Sequence, residues 1–328
     1  MYSVAEYNTE QRSDLFSETA YKKGMTPSIV EKDFWVTWTL SKLFKNAELS
    51  EVLRFKGGTT LSKVYGVIER FSEDIDLILK WDILTEEDPE EARSGKQQKA
   101  LIERIRVNGR TYIEGHLMPI VTSLIAPTCT CAIDPDDRNV INIHYPKSFS
   151  DEYIRPEIRL EIGPIASWLP FETFKIQPYA AEAFPKLFKT AECSVHVITA
   201  ERTFWEKATI LHHEAHRPPG NNQPPRYSRH YYDLAQLAKS SIKAKALENL
   251  DILTSVVKFK MKFYPRGWAN YDLAKPGTFK LVPQGHVLES VKKDYQEMRN
   301  MIYGTYYDYS EIHSTLKKLE DEINSISL

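Results

Sequence analysis

Two carboxylates separated by one apolar residue, Asp74-Ile75-Asp76, follow a Gly57-Gly58-Thr59-Thr60 stretch, with Asp74 sixteen residues past Gly58. In a strand, alternation puts Asp74 and Asp76 on one face and Ile75 on the other, with the two Cα atoms about 7 Å apart by strand rise. Such a pair can hold Mg²⁺, which takes a few hard oxygen ligands and fills its shell from substrate phosphates and water. The pair therefore implies a nucleotide beside it. Gly57 and Gly58 let a backbone turn approach a ligand closely, and a helix after them points free N–H groups and its positive end at that ligand. Thr59 and Thr60 add hydroxyl donors at the same place. An Asp-x-Asp pair or a Gly-Gly turn alone is a weak signal; the order strand, Gly turn, helix, acid-bearing strand is much more specific.

The elements that would position these residues read as follows. Val52 opens a strand-like VLRF run, LSKVYGVI after the glycines reads as a helix, and DIDLIL returns to a strand. Upstream, Thr26 as N-cap, Pro27 at the first helical position and the Ser28…Glu31 capping-box spacing predict a helix over about residues 27–45. Its Val30, Phe34, Val36, Trp38 and Leu40 do not lie on one narrow stripe, so it is expected to be covered on more than one side. A polar loop over 85–98 leads into a helix near 99–117, and the runs CTCAI, VINIHY, IRPEIRLEIG and FKIQPY are of β type. In the third of these, Arg159 and Glu161 share one strand face and Leu160 and Ile162 the other; a surface ion pair is the alternative reading. Thr199 can cap a helix with Glu201 in its first turn, RPPGNNQPPRYSR over 217–229 should be an exposed loop, and helical patterns dominate beyond.

The chain has 328 residues, 42% hydrophobic and 27% charged, enough to bury a sizeable core and to fill two domains. A formal net charge of −2 excludes binding to nucleic acid by bulk positive charge. Cys129, Cys131 and Cys193 lack a paired CxxC spacing and are expected to be reduced thiols rather than disulfides or zinc ligands. The amino terminus has no basic segment followed by an apolar one, and no stretch reaches the roughly 20 apolar residues that span a bilayer. A cytoplasmic protein without membrane attachment is the expectation.

Gly57-Gly58-Thr59 and Arg70-Phe71-Ser72-Glu73-Asp74-Ile75-Asp76-Leu77 resemble the first motif of the AbiEii/AbiGii toxin nucleotidyltransferases, within the polymerase-beta-like superfamily. The resemblance covers residues 26–80 and, more loosely, 155–240; Val30-Glu31-Lys32-Asp33-Phe34-Trp35-Val36 is similar to the family's helical lead-in. It implies that Gly57, Gly58, Thr59, Thr60, Arg70 and Ser72 hold the nucleotide, and that Asp74 and Asp76 bind metal. It also implies a third carboxylate on a neighbouring strand, Glu161, with Glu157 as the competing candidate. Glu206-Lys207 and Arg229-x-x-x-Asp233 resemble later motifs, which would place Lys207 and Arg229 on the triphosphate and let Asp233 complete the catalytic set. Without the family, Lys207 reads as a solvated helix charge and Asp233 as the N-cap of DLAQLAKS. The implied reaction moves a nucleoside monophosphate from a nucleoside triphosphate to an acceptor hydroxyl, with Mg²⁺ (or Mn²⁺) as cofactor and pyrophosphate released. The implied acceptor is RNA at the 3′ end of tRNA, in the toxin of a toxin–antitoxin or phage-defence system with a cognate antitoxin.

The expected fold is thus α/β (α+β). A helical segment over 1–50 precedes a small mixed-sheet nucleotidyltransferase core over 51–198, and a helical domain over 199–328 completes the active-site cleft with Lys207 and Asp233. His212 and His216 have an i,i+4 metal spacing, but the chain lacks HExxH there, and surface histidines beside a basic, RNA-facing helix are expected instead. Residues 201–245 hold eight Lys/Arg and four Asp/Glu. There Trp205, Tyr227, Tyr231 and Tyr232 would offer faces to unstacked bases. Two rival functions are a nucleotidyltransferase acting on protein or a small molecule, and a non-catalytic nucleotide-binding partner. Retention of Asp74, Asp76 and Glu161 argues against the latter.

Overall fold

The computed structural model describes residues 1–151 and 154–327. The chain is mixed α/β and forms two compact units: residues 1–64 with 71–198, and residues 65–70 with 199–328. The first unit carries a seven-stranded mixed sheet: β1 (Leu53–Lys56), β2 (Ile75–Leu79), β3 (Thr130–Ile133), β4 (Val140–His144), β5 (Ile158–Gly163), β6 (Phe171–Ile176) and β7 (Cys193–Ile198). The strand order is β3-β4-β5-β2-β1-β7-β6. β1 runs antiparallel to β2, while β2 and β5 are parallel neighbours. The inward residues Phe55, Ile75, Leu77, Ile158, Leu160 and Ile162 are buried.

The Pro27–Lys45 helix packs on this sheet and is buried on almost every side, as a helix apolar all round must be. Thr26 caps it, its side chain accepting from Ile29 N at 3.4 Å. Glu31 does not close the Ser28 capping box; its carboxylate accepts from Ser148 N and Phe149 N.

Several elements differ from the sequence reading. The helix after the glycines spans only Gly58–Lys63. Gly66 adopts φ +62°, and the following backbone pairs elsewhere: Arg70 bridges to Ile302, and Tyr303 N and Gly304 N donate to Glu69 O. These long-range bonds displace the helix that LSKVYGVI promises locally. The helix expected near 99–117 begins at Gly95, behind a Ser94/Gln97 capping box, and passes through a wide turn at Ile113–Leu117 into Met118–Ile125. The FKIQPY strand lies earlier, at Phe171–Ile176, because it registers against β7, a strand the sequence runs had not shown.

The second unit is helical, built on Ala200–Ala215, Ser228–Ala238, Leu250–Phe263, Gly285–Glu297 and Tyr309–Asn324. Thr199 occupies the N-cap of the first, but its hydroxyl makes no cap bond. Among the described residues no helix is long and apolar enough to cross a membrane, and all three cysteines are free thiols. Burial pushes Cys129 up to about 12 and Cys193 up to about 11, so neither is a ready nucleophile.

Candidate active site

The three acids meet through strand register. β2 and β5 are parallel, and Asp76 is the Cα partner of Glu161 across them, so both side chains leave the same face. Asp74, two residues earlier, leaves that face too; Asp74 and Asp76 are half-buried while Ile75 between them is buried. Glu157 lies before β5, with its carboxylate 3.9 Å from Arg155. The register therefore selects Glu161 as the neighbour of Asp76.

The glycine turn is shaped around the same carboxylate. Lys56 pairs with Asp76 across β1 and β2, so the next residue, Gly57, passes directly by the Asp76 side chain. Gly57 has φ +88° and ψ −162°, a conformation open in practice only to glycine. A Cβ there would sit 1.9 Å from Asp76 Oδ2. Thr59 and Thr60 do not offer their hydroxyls outward as expected. Both are buried, Thr59 Oγ1 donating to Asp74 O at 2.6 Å and Thr60 Oγ1 to Gly57 O at 2.7 Å. They hold the turn and Asp74 in place, leaving the first-turn backbone N–H groups as the donors at this turn. Ser72 Oγ lies 3.1 Å from Thr59 Oγ1, whose single hydrogen goes to Asp74 O, so the Ser72 hydroxyl belongs to the same cluster.

Burial and the neighbouring Asp74 and Asp76 push the Glu161 carboxyl up, only partly offset by Arg159. Arg159 is not chiefly its partner: Nη1 lies 2.6 Å from Asp134 Oδ2, while Nε is 3.4 Å from Glu161 Oε1. Asp74 Oδ1 is buried with no hydrogen-bond partner among the described residues. Hard oxygens that repel one another, one of them unsatisfied, fit a divalent cation. Among the described residues no group of three such side chains forms a ready-made metal cage. That donor set suits an ion that draws its remaining oxygens from substrate and water.

One turn of the Pro27–Lys45 helix carries three consecutive charges, of which the sequence reading gave a role only to Glu31, in the capping box. Glu31, Lys32 and Asp33 are all buried. Asp33 Oδ1 lies 2.5 Å from Lys63 Nζ at the end of the short helix, and its Oδ2 accepts from Tyr179 N at 2.6 Å. Burial raises the Asp33 carboxyl, against the pull of Lys63. The detectable signal was three consecutive charges inside a helix whose apolar residues spread beyond one stripe.

In the second unit, Asp233 Oδ1 and Oδ2 accept from Arg70 Nε and Nη2, each at 2.7 Å, and Lys207 Nζ is 2.7 Å from Oδ2. Burial alone would raise Asp233, but Arg70 and Lys207 outweigh it and hold the carboxylate well below its usual range. Lys207 is itself pushed down, by burial first, while Asp233 opposes the shift. Its Nζ also lies 3.5 Å from His230 Nδ1. Two simpler readings fall here: Lys207 is buried rather than solvated, and Asp233 lies inside Ser228–Ala238 rather than at its cap. The Arg70 fork, expected on nucleotide, is engaged by Asp233, and Arg229 is half-buried one turn before that acid.

The histidines are not at the surface. His212 is fully buried; it accepts from Lys280 N at Nδ1 and donates from Nε2 to Asn270 O, and burial takes its pKa down to about 4. With both of its nitrogens used, His212 has no lone pair to share with a metal, which leaves the His212/His216 spacing without one of its two ligands. Trp205, Tyr231 and Tyr232 are core residues too, so of the four aromatics only half-buried Tyr227 could meet a base.

Comparison with known proteins follows the same lines. Residues 38–312 match the family described as nucleotidyl transferase AbiEii toxin, type IV toxin–antitoxin system, a span that takes in all the residues above from Gly57 to Asp233. No curated protein matches the chain. Among solved structures, the chain is similar to MenT4, a nucleotidyltransferase toxin from Mycobacterium tuberculosis, at 14% identity and TM-score 0.45, covering 95% of this chain and 96% of that one. It is similar also to JHP933 from Helicobacter pylori, at 15% identity and TM-score 0.34, covering 88% and 93%.

Proposed function

The chain belongs to the AbiEii family of nucleotidyltransferase toxins of type IV toxin–antitoxin systems, and we propose that it transfers a nucleoside monophosphate to the 3′ end of tRNA using Mg²⁺. The family works with a nucleoside triphosphate and a divalent metal, and it implies a cognate antitoxin. The observation that carries the reading is the pairing of Asp76 with Glu161 across parallel strands, beside an Asp74 oxygen that has no partner among the described residues. Asp74, Asp76 and Glu161 would hold the cation. When bound, it supplies charge neutralisation for phosphate oxygens and acidifies the attacking hydroxyl.

The protein's own groups do the positioning. The Gly57 turn lets backbone N–H groups approach the phosphates, and Ser72 adds a hydroxyl. Lys207, paired with Asp233, is the cation that the family resemblance assigns to the triphosphate, with Arg229 as a second. In this scheme Asp233, which binds both Arg70 and Lys207, acts by fixing Lys207. The tRNA acceptor is supported by exposed Arg226, Lys239 and Lys245 in the locally basic stretch, which suit backbone phosphates.

The test is incubation with total tRNA, Mg²⁺ and each α-³²P-labelled nucleoside triphosphate in turn, beside Asp76→Ala. Label on tRNA with wild type and none with the variant is expected. Label that resists ribonuclease would move the acceptor to protein or a small molecule, and equal labelling by Asp76→Ala would overturn the assignment of the acids.

A further inference from the structure

β2 and β5 carry Asp76 and Glu161, while Asp74 lies just ahead of the ladder that aligns the two strands, which begins at Ile75 and Leu160. Thr59 holds Asp74 to the glycine turn, and a second device ties the leading ends of the two strands to each other. Lys32 Nζ donates to the carbonyl of Arg155 at 2.8 Å and to that of Glu157 at 2.5 Å, both in the segment entering β5. The same ammonium lies 3.5 Å from Glu73 Oε2, on the residue before Asp74. Glu73 closes the ring by accepting from Arg155 N at 2.8 Å. The Lys32 side chain is 0% exposed and that of Glu73 6%. Its neighbours on the helix point their charges elsewhere, Glu31 to Ser148 and Phe149 and Asp33 to Lys63.

We propose that Lys32 is a positioning residue of the divalent-cation site, clamping the entries of β2 and β5 so that Asp74, Asp76 and Glu161 are presented together on one face of the sheet. This rests on the reading that those three acids hold the cation. A buried ion pair contributes little net stability compared with apolar packing, but it fixes geometry through directed bonds. Lys32 also sets up a test of sign. A positive charge near the acids opposes a bound cation, so simple removal of charge would tighten metal binding. Loss of a clamp would weaken it.

The experiment titrates Mn²⁺ into the full chain without nucleotide, following free Mn²⁺ by electron paramagnetic resonance, for wild type, Lys32→Met, Glu31→Gln and Asp76→Asn. Lys32→Met is expected to bind Mn²⁺ about tenfold more weakly, the usual scale for supports of metal ligands. Glu31→Gln, which removes an equally buried charge from the same helix turn, should stay within about twofold of wild type, well below that support-loss scale. If Lys32→Met does not fold by near-ultraviolet circular dichroism, Lys32→Gln, whose shorter and uncharged side chain cannot reach both carbonyls and Glu73, takes its place and is expected to bind more weakly than wild type. Wild-type or tighter binding by the folded Lys32 variant overturns the clamp, as does an equal loss in Glu31→Gln. Failure of the underlying reading looks different: wild type would not bind Mn²⁺, or Asp76→Asn would bind it as well as wild type.

Discussion

Gly57→Ala probes the tightest contact in the site with one added carbon. At φ +88° and ψ −162° an alanine is strained by about 1–3 kcal/mol. The new Cβ would meet Asp76 Oδ2 at 1.9 Å, where real Cβ contacts stay beyond 3.0 Å. The carboxylate or the turn must therefore move by about 1 Å, and a displacement of that size in a reacting geometry costs on the order of 100-fold in rate. Rotating the carboxylate does not fully clear the contact, because Asp76 Cβ itself would lie 3.0 Å away on a backbone paired on both sides, to Lys56 and to Glu161. Pyrophosphate release under saturating nucleotide gives the rate, and urea unfolding gives the stability. The expectation is a folded protein, weakened by a few kcal/mol at most, with turnover down about 100-fold. Turnover within threefold of wild type in a folded Gly57→Ala would refute the argument that this glycine exists to clear Asp76.

Asp233→Asn leaves two buried cations facing an amide and should cost about 3–5 kcal/mol in urea unfolding at pH 7. Because Arg70 and Lys207 hold the native Asp233 pKa below the unfolded value of about 3.9, wild type keeps its full advantage above that pH and loses it progressively below. An advantage that grew on acidification would be incompatible with this pairing. Thr59→Val strips the hydroxyl from Asp74 O and should lower stability by about 1–3 kcal/mol. An unchanged melting temperature would show that bond to be idle. Burial, Asp74 and Asp76 raise the native Glu161 pKa above its unfolded value, so the metal-free protein should lose stability as pH rises between the two. Glu161→Gln, followed by thermal melting across that range, should flatten the slope, and an identical slope in the variant would count against the raised carboxyl.

Local patterns carried a good part of this molecule. The Thr26-Pro27 start, the Gly57-Gly58 turn and the alternation at Asp74-Ile75-Asp76 are each complete within a few residues, so their geometry follows from backbone sterics and period-two strands. The family-like motif rests on those same short stretches, and with it the expectation of a mixed α/β chain. Where local propensity misled, a distant bond had outcompeted it. Residues 65–70 abandon their helix to pair near Ile302, and FKIQPY shifts to match β7.

What the chain order could not convey is which charges lose their water. Apart from the family resemblance, Lys207 reads as a solvated charge and Asp233 as a helix cap, and nothing in the order of residues marks His212 or the Glu31-Lys32-Asp33 turn as buried, because solvation is a property of what packs against a side chain. Desolvation makes an unpaired charge costly, so each buried one must find a partner wherever the fold brings one: Arg70 for Asp233 at 163 residues' distance, Arg155 and Glu157 carbonyls for Lys32 at more than 120. Sequence alone determined that the Gly-Gly turn and the two aspartates occur in an order suited to phosphate and metal chemistry. Tertiary structure alone decided that Glu161 stands beside Asp76, since the register of two parallel strands is set by backbone hydrogen bonds and buried faces that no local pattern contains.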